Sequence, residues 1–451
     1  MSRRAILIPL LAAAWLLAPA APGRAQEDKV YIEINPSDQR RLPIAVVDFV
    51  NATPGPGGAD PSGGKTLAEV VAKDLEFTGL FRVLDPAGFI EDPKKQAVLL
   101  REIDFSDWTM VGAEAVVKGR YRVDGRALKV EAYLYDPLQQ KQLLGREYTA
   151  EVSALRRVAH RFASDVLEAL TGEPGAFDTR IAFVSTRTGT KEVYVMDYDG
   201  QNVRQVTRTR SINLVPTWSP DGRKLAFVSF MERNPDLFFL SVADGSLLRL
   251  KLPFTWRGSF NGGAWSPRGD LFAFGASREG NSDIWIMNVD GSGLRQLTNH
   301  FAQDVAPAFS PDGRQIVFVS DRGGNPTLYV TDVRGGEARR LVYEGKNNYS
   351  PAWSPRGDRI AFICQNDRGR ADVCVVNPDG TGLARLTSEG SSDSPSWSPD
   401  GRFIAFESNR DGARRIYVMN ANGANPRRVV PAGLGGQGED TAPAWSPRSG
   451  E

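Results

Sequence analysis

The residues of this sequence that could do chemistry are few: two histidines, two cysteines and one glycine-rich stretch. His160 and His300 belong to no cluster with zinc-ligand spacing, and no Gly-x-Ser-x-Gly motif supplies a hydrolase nucleophile. The glycine-rich stretch follows a predicted strand and precedes a predicted helix, as a phosphate loop does. Its spacing does not fit, because Gly58 pairs with Gly63, which is followed by Gly64 where the motif needs lysine. These absences predict a protein that is not an enzyme and holds no cofactor or metal.

A repeated phrase identifies the elements that position these residues. An aromatic residue followed by Ser-Pro occurs six times, with spacings of 47, 44, 44, 44 and 48 residues. This period is typical of a four-stranded propeller blade. The aromatic residues are Trp218, Trp265, Phe309, Trp353, Trp397 and Trp445. In five copies Asp-Gly or Arg-Gly follows, which suits a type I turn because proline presets φ at the second position. Each unit is one small antiparallel sheet that must stack on its neighbours to be buried.

The order of the strand patterns predicts how the ring of blades closes. The first unit begins at Arg180 with a second-strand pattern, and residues 442–446 form an unmatched first-strand pattern. We expect this last strand to complete the first blade and leave no free sheet edge. The prediction is an all-β six-bladed propeller over residues 180–451.

A different pattern precedes the propeller and predicts a small α/β domain over residues 42–172, joined by a linker at 173–179. A strand at 44–49, a helix from about 65 to 77, three antiparallel strands and a helix at 154–170 follow from the apolar periodicity. Residues 1–25 are typical of a signal peptide, with Arg3 and Arg4 before an apolar run that is too short to cross a membrane. Its removal changes the net charge from +1 to −2, which argues against a nucleic-acid partner.

The two cysteines lie on two consecutive strands of one repeat. Cys364 stands where most other repeats have serine, and Cys374 stands where they have an aromatic residue. The two strands are joined by a hairpin near Gly369, so we expect the cysteines to face each other. An exported protein meets an oxidising compartment, which favours a disulfide over two free thiols.

Two further features allow either a structural or a functional interpretation. Residues 26–41 include an alternating apolar pattern, Val30, Ile32 and Ile34, which fits an ordinary edge strand or a segment that pairs with a partner's sheet. Five residues before each repeated aromatic stands a mostly polar residue, which we expect to surround one mouth of the central channel. These six residues are Asn213, Phe260, Asp304, Asn348, Ser392 and Asp440. Channel hydration would explain such a ring as well as partner binding does.

Together these features resemble the TolB family, the periplasmic β-propeller proteins of the Tol-Pal cell-envelope system. The resemblance covers the extended segment, the strand at 43–49, the stretch 160–172, the propeller entry at 180–182 and the six repeats. It implies that the propeller binds the lipoprotein Pal over the channel mouth. The implied Pal-binding residues are Asn213, Phe260, Asn261, Asp304, Asn348, Asp393 and Asp440.

The resemblance also implies that the extended segment binds TolA. The implied TolA-binding residues are Glu27, Asp28, Lys29, Val30, Tyr31, Ile32, Glu33 and Ile34. A periplasmic monomer that links the two partners, without inserting into the membrane, would maintain outer-membrane integrity and constriction during cell division. The alternatives are a metal-dependent six-bladed propeller hydrolase and a peptidase-type propeller that lacks its catalytic domain.

Overall fold

The protein has an N-terminal α/β region followed by a six-bladed β-propeller, as predicted. The structure is a computed structural model, and it describes residues 41–53, 62–91, 97–250, 260–278, 280–430 and 438–448. The predicted signal peptide and the predicted TolA-binding residues 27–34 lie outside the described residues. No helix in the described part of the chain is long and apolar enough to cross a membrane.

The α/β region is a sheet with strand order β3-β1-β4-β5-β6, in which β2 also pairs with β4. Helices α1 and α3 pack together and share one apolar core with the sheet. The strands are β1 (Leu42–Val46), β2 (Val50–Asn51), β3 (Phe81–Val83), β4 (Ala115–Asp124), β5 (Ala127–Asp136) and β6 (Lys141–Glu151). The α-helices are α1 (Ser62–Phe77), α2 (Phe105–Met110) and α3 (Leu155–Thr171), with 3-10 turns at Pro86–Gly88, Leu100–Glu102 and Val152–Ala154.

The glycine-rich stretch before α1 has a packing role in the part that is described. Gly64 lies in the first turn of α1, and a Cβ atom there would lie 2.0 Å from the carbonyl oxygen of Phe49. β1 ends at Val46 instead of continuing to Phe49 as predicted, and the amide of Phe49 donates to the carbonyl of Gly64 at 3.2 Å. Glycine is needed here because the helix approaches the preceding chain closely.

The propeller consists of six four-stranded antiparallel sheets. The sheet that closes the ring has the order β30-β7-β8-β9, and the other sheets each take four consecutive strands from β10 to β29. The strands are β7 (Arg180–Ser185), β8 (Glu192–Asp197), β9 (Arg204–Gln205), β10 (Asn213–Trp218), β11 (Lys224–Glu232), β12 (Asn234–Ser241), β13 (Leu247–Arg249), β14 (Phe260–Trp265), β15 (Leu271–Arg278), β16 (Asn281–Asn288), β17 (Arg295–Gln296) and β18 (Asp304–Phe309). The remaining strands are β19 (Gln315–Ser320), β20 (Thr327–Asp332), β21 (Arg339–Arg340), β22 (Asn347–Trp353), β23 (Ile360–Gln365), β24 (Ala371–Val376), β25 (Ala384–Arg385), β26 (Ser392–Trp397), β27 (Phe403–Ser408), β28 (Arg415–Asn420), β29 (Arg427–Arg428) and β30 (Asp440–Trp445).

The repeated phrase builds turns and joins blades. In each complete copy the glycine amide donates to the serine carbonyl three residues earlier at 2.9 Å, as in Gly222 and Ser219. The aromatic residue reaches the neighbouring blade. The indole nitrogen of Trp218 donates to the carbonyl of Ala444 at 3.0 Å, and that of Trp397 donates to Ala352 at 3.0 Å. The repeated Ser-Pro phrase therefore has a structural role.

An aromatic and polar interface joins the α/β region to the propeller. Phe77 at the end of α1 stacks on Phe403 at the start of β27, with ring centroids 4.7 Å apart. The guanidinium of Arg427 lies 3.3 Å from the centre of the Phe77 ring. Beside them Asp74 accepts hydrogen bonds from His160 and from Tyr198 of the first blade. One apolar core therefore continues across the two parts of the chain.

Candidate partner-binding face at the channel mouth

The predicted ring residues lie at equivalent places in the six blades. The innermost strands are β10, β14, β18, β22, β26 and β30, and neighbours among them contact one another around the ring. Asn213, Phe260, Asp304, Ser392 and Asp440 each begin an innermost strand, and Asn348 is the second residue of β22. We call the end of the propeller where these strands begin the mouth face. It includes the connections that lead into them, which among the described residues are 206–212, 297–303, 341–346 and 386–391.

Burial corrects the expectation that these ring residues surround the channel mouth with their side chains. Asn213, Phe260, Asp304, Asn348 and Asp440 are all buried. Phe260 packs against Phe274 with ring centroids 5.7 Å apart. These side chains therefore support the mouth face from within, and the prediction that they contact a partner stays a prediction.

The polar members of the ring bond within their own blade (Asp304, Asp440), to the preceding blade (Asn213, Asn348) or to the connection before their strand (Ser392). Asp304 accepts from the Arg322 guanidinium at 2.7 Å, and Asp440 accepts from Arg187 at 2.7 Å. Asn213 donates to Glu192 at 3.0 Å. In the other two polar positions, Asn348 donates to Thr327, and the Ser392 hydroxyl lies within hydrogen-bond distance of Thr387.

Asp393, also a predicted Pal-binding residue, links two neighbouring innermost strands. Its carboxylate accepts from the Ser350 hydroxyl of the neighbouring innermost strand at 3.1 Å and from the Ser394 amide at 2.7 Å. Burial raises the pKa of this carboxyl group above its ordinary value. The side chain of Asn261, predicted with it, is not among those described.

A backbone bulge recurs in the innermost strand of every blade, and the sequence did not lead us to expect it. The third residue of the strand, or the fourth in β22, has a positive φ, and the pairing register shifts there. The residues and their φ angles are Val215 (49°), Gly262 (71°), Ala306 (51°), Ser350 (52°), Ser394 (51°) and Ala442 (48°). Proline follows the bulge in five blades. Proline inside a strand is tolerated at bulges and sheet edges, so this repeated X-Pro pair was the available signal.

Arginine side chains stack on aromatic rings behind the mouth face in three blades. Arg187, Arg322 and Arg410 each lie two residues after the serine that ends a second strand. Their Nε atoms donate to that serine at 2.9, 3.0 and 3.3 Å. Each guanidinium also lies 4.7 to 5.5 Å from the centres of one phenylalanine and one tyrosine ring. We call this arrangement the arginine stack.

The blade made by β22–β25 has a disulfide in place of the arginine stack. Cys364 and Cys374 take the positions of the serine and the tyrosine, and Asn366 takes the position of the arginine. The cysteines are joined, with Cα atoms 5.8 Å apart. They are not directly opposite, because Cys364 pairs with Asp372 and Cys374 with Phe362. The disulfide is thus a diagonal link across the hairpin.

Buried carboxylates at the start of the third strands fix the connections of the mouth face. Glu192 accepts from the Thr207 hydroxyl at 2.6 Å and from the Arg210 amide at 2.8 Å. Asp283 accepts from the amide of His300 at 3.3 Å. The sequence has an acidic residue at this position in four repeats, and this recurrence is the signal that marks the group.

Large apolar side chains are exposed on the mouth face. Phe301 is 87% exposed and Tyr343 is 70% exposed, and they lie on connections that lead into neighbouring innermost strands. Ile212 and Val215 are also exposed on this face. We call these four exposed side chains the apolar rim of the mouth face.

The other residues considered for chemistry lie elsewhere or form no cluster. His160 is buried in the interface between α3 and the propeller, with its Nδ1 atom 2.6 Å from Asp74. Burial lowers the pKa of His160, but attraction to the Asp74 carboxylate outweighs this effect and raises it overall. Within the described ranges, no group of three or more His, Cys, Asp or Glu residues could hold a metal ion.

Comparison with known proteins identifies the family. A family model described as the TolB beta propeller domain matches residues 167–449, and one described as the TolB amino-terminal domain matches residues 30–143. The chain belongs to the TolB family. The resemblance seen in the sequence is therefore confirmed.

Individual TolB proteins support this assignment. The Tol-Pal system protein TolB of Anaeromyxobacter dehalogenans strain 2CP-C is 38% identical over 307 residues, which cover 68% of this chain and 67% of that protein. TolB of Desulfosudis oleivorans is 37% identical over 237 residues, which cover 52% of this chain and 53% of the relative. The chain thus spans about half the length of that curated relative. The crystal structure of TolB from Acinetobacter baumannii is similar with a TM-score of 0.78 and 27% identity, covering 90% of this chain and 97% of that one.

Proposed function

We propose that this member of the TolB family is a non-catalytic periplasmic protein that binds Pal through the mouth face and TolA through residues 27–34. By joining the two partners it would maintain outer-membrane integrity and constriction during cell division. Its relatives are named as Tol-Pal system proteins, which supports a partner within that system. In this proposal residues 1–25 are removed on export, residues 42–172 and 180–451 are two domains joined by the linker 173–179, and the protein acts as a monomer.

The exposed apolar rim of the mouth face is the observation that carries the Pal part of the proposal. Phe301 and Tyr343 remain largely in solvent although the connections that carry them are held by buried groups. Exposed aromatic groups in fixed positions are enriched among residues that dominate protein–protein binding energy. Since the ring side chains are buried, the proposal assigns the contacts with Pal to the connections above them.

The placement of the α/β region leaves the mouth face accessible. The region packs against Phe403, where β27 begins, and against Tyr198, which follows the end of β8. The mouth face lies at the other end of these strands, where β27 finishes and β8 starts. The described part of the α/β region therefore does not cover the mouth face.

A two-part binding experiment tests the proposal. Residues 26–451, the soluble domain of Pal and a soluble form of TolA are purified, and each affinity is measured by isothermal titration calorimetry. Deletion of residues 26–34 is expected to abolish TolA binding and to leave Pal binding intact. If residues 26–451 do not bind Pal or do not bind TolA, the corresponding part of the proposal is wrong. The assignment of the segment is wrong if the deleted form still binds TolA.

A further inference from the structure

The connection between β17 and β18 presents an aromatic side chain in a fixed position. Phe301 has the largest exposed fraction among the large apolar side chains that the structure describes, 87%. Its ring lies against the ring of His300, with centroids 4.3 Å apart. An exposed phenylalanine on a mobile loop would lose conformational entropy on binding. The contribution of Phe301 to binding affinity therefore depends on how firmly its backbone is held.

Four hydrogen bonds hold that backbone. The amide of His300 donates to Asp283 at 3.3 Å, and the carbonyl of His300 accepts from the Asn281 side chain at 2.6 Å. The amide of Ala302 donates to His300 Nδ1 at 3.0 Å. The amide of Gln303 donates to Asp321 at 2.8 Å. The residues on both sides of Phe301 are thus fixed to the blades that flank the connection.

The same hydrogen bonds determine which nitrogen of His300, beside the Phe301 ring, carries the proton. Because Nδ1 of His300 accepts a hydrogen bond, the neutral imidazole carries its proton on Nε2. Among the described residues no hydrogen-bond partner of Nε2 is present. The connection therefore offers one apolar ring and one N–H donor side by side.

The next connection around the ring extends this surface. Tyr343 is 70% exposed, and the guanidinium of Arg340 lies 4.8 Å from its ring centre. The Nε atom of Arg340 donates to the carbonyl of Val342 at 2.9 Å, which holds the guanidinium in place. The pair repeats the combination of an aromatic ring and a donor one blade further on.

We propose that Phe301 is the anchor of the mouth face: it inserts into an apolar pocket of the protein partner, whose rim supplies an oxygen acceptor for His300 Nε2. Tyr343 is a second, shallower contact on the same partner. The inference rests on the proposed function, because it names the residues through which the mouth face would bind Pal. A fixed aromatic side chain that enters a pocket gains apolar burial at a small entropic cost.

Single substitutions of exposed residues test the anchor. The soluble domain of Pal is titrated against residues 26–451 and against the F301A, F301W, Y343A and M110A variants. Met110 is the matched control, because it is 67% exposed but lies on α2 of the α/β region. F301A is expected to weaken binding at least about tenfold, Y343A by about threefold and M110A by less than about twofold. F301W keeps an aromatic ring and is expected to stay within about threefold of the original affinity.

The outcomes separate this inference from the proposed function. If the unmodified chain does not bind Pal, the proposed function fails. If it binds and F301A behaves like M110A, binding occurs but Phe301 is not the anchor. Equal melting temperatures of the unmodified chain and F301A show that any loss comes from the contact. A loss in F301A that F301W does not share supports the anchor.

Discussion

Replacement of His160 by alanine should destabilise the interface between the α/β region and the propeller by about 3 to 5 kcal/mol. His160 and Asp74 are 3% and 2% exposed, and the contact between Nδ1 and the carboxylate is 2.6 Å. Burial already raises the pKa of Asp74 although His160 opposes this effect, and without the imidazole Asp74 would remain buried with only the Tyr198 hydroxyl in contact. A buried charge that loses its partner accounts for most of this cost.

A double-mutant cycle isolates that effect. D74N removes the charge while it keeps an oxygen that can accept from Tyr198. D74N combined with H160A should therefore cost at least about 1 kcal/mol less than the sum of the two single substitutions. The measurement is urea unfolding at pH 7, followed by circular dichroism. K73A on the same helix is the control, because Lys73 is 74% exposed and should cost less than about 0.5 kcal/mol. Costs that add within about 0.5 kcal/mol would refute the reasoning.

Three other outcomes are expected. The pKa of His160 is raised in the folded state, so protonated His160 stabilises the fold fully below about pH 6.5, and this stabilisation is lost as pH rises through the folded-state pKa. The free energy of unfolding, measured between pH 6 and 9, should therefore fall less with rising pH in H160Q than in the unmodified protein. Replacing Cys364 and Cys374 by serine should cost about 2 to 3 kcal/mol, measured by urea unfolding, because the bond closes a short loop of sequence separation 10; no loss would show that it adds no stability. G64A should cost about 1 to 3 kcal/mol through contact with the Phe49 carbonyl, whereas G88A, with open space around it, should leave the melting temperature nearly unchanged.

The features that were predicted from the sequence depend on local residue chemistry. Ser-Pro turns and their spacing are sufficient to count the blades, and the second-strand pattern at Arg180 shows that the ring must close with the last strand. The cysteines could be paired because the repeat aligns them with neighbouring strands. Each of these inferences needs only short stretches of chain and a repeat to compare them with.

The features that were missed depend on orientation and burial. The sequence positions Asn213 and Asp304 correctly at the starts of innermost strands. Whether such a side chain is buried or is exposed at the mouth face depends on the pleat and on the bulge that follows, which shifts the pairing register. Phe301 gave no signal because a phenylalanine in a loop is as consistent with a buried contact as with an exposed one. The acidic residues such as Glu192 are recognisable as loop supports only when the connection they hold is seen.

The pairing of β30 with β7 has a consequence for how the protein is made. Asp440 lies opposite Ser185, so the first blade remains without its innermost strand until more than 250 residues have emerged after it. Contacts of such long range slow folding, since the ends of a long loop must meet before they are stabilised. Until then β7 has an unpaired edge that could pair with another chain. Exported chains that stop before β30 should therefore be degraded or aggregate, and the time needed to join the two ends should limit how quickly new protein becomes functional.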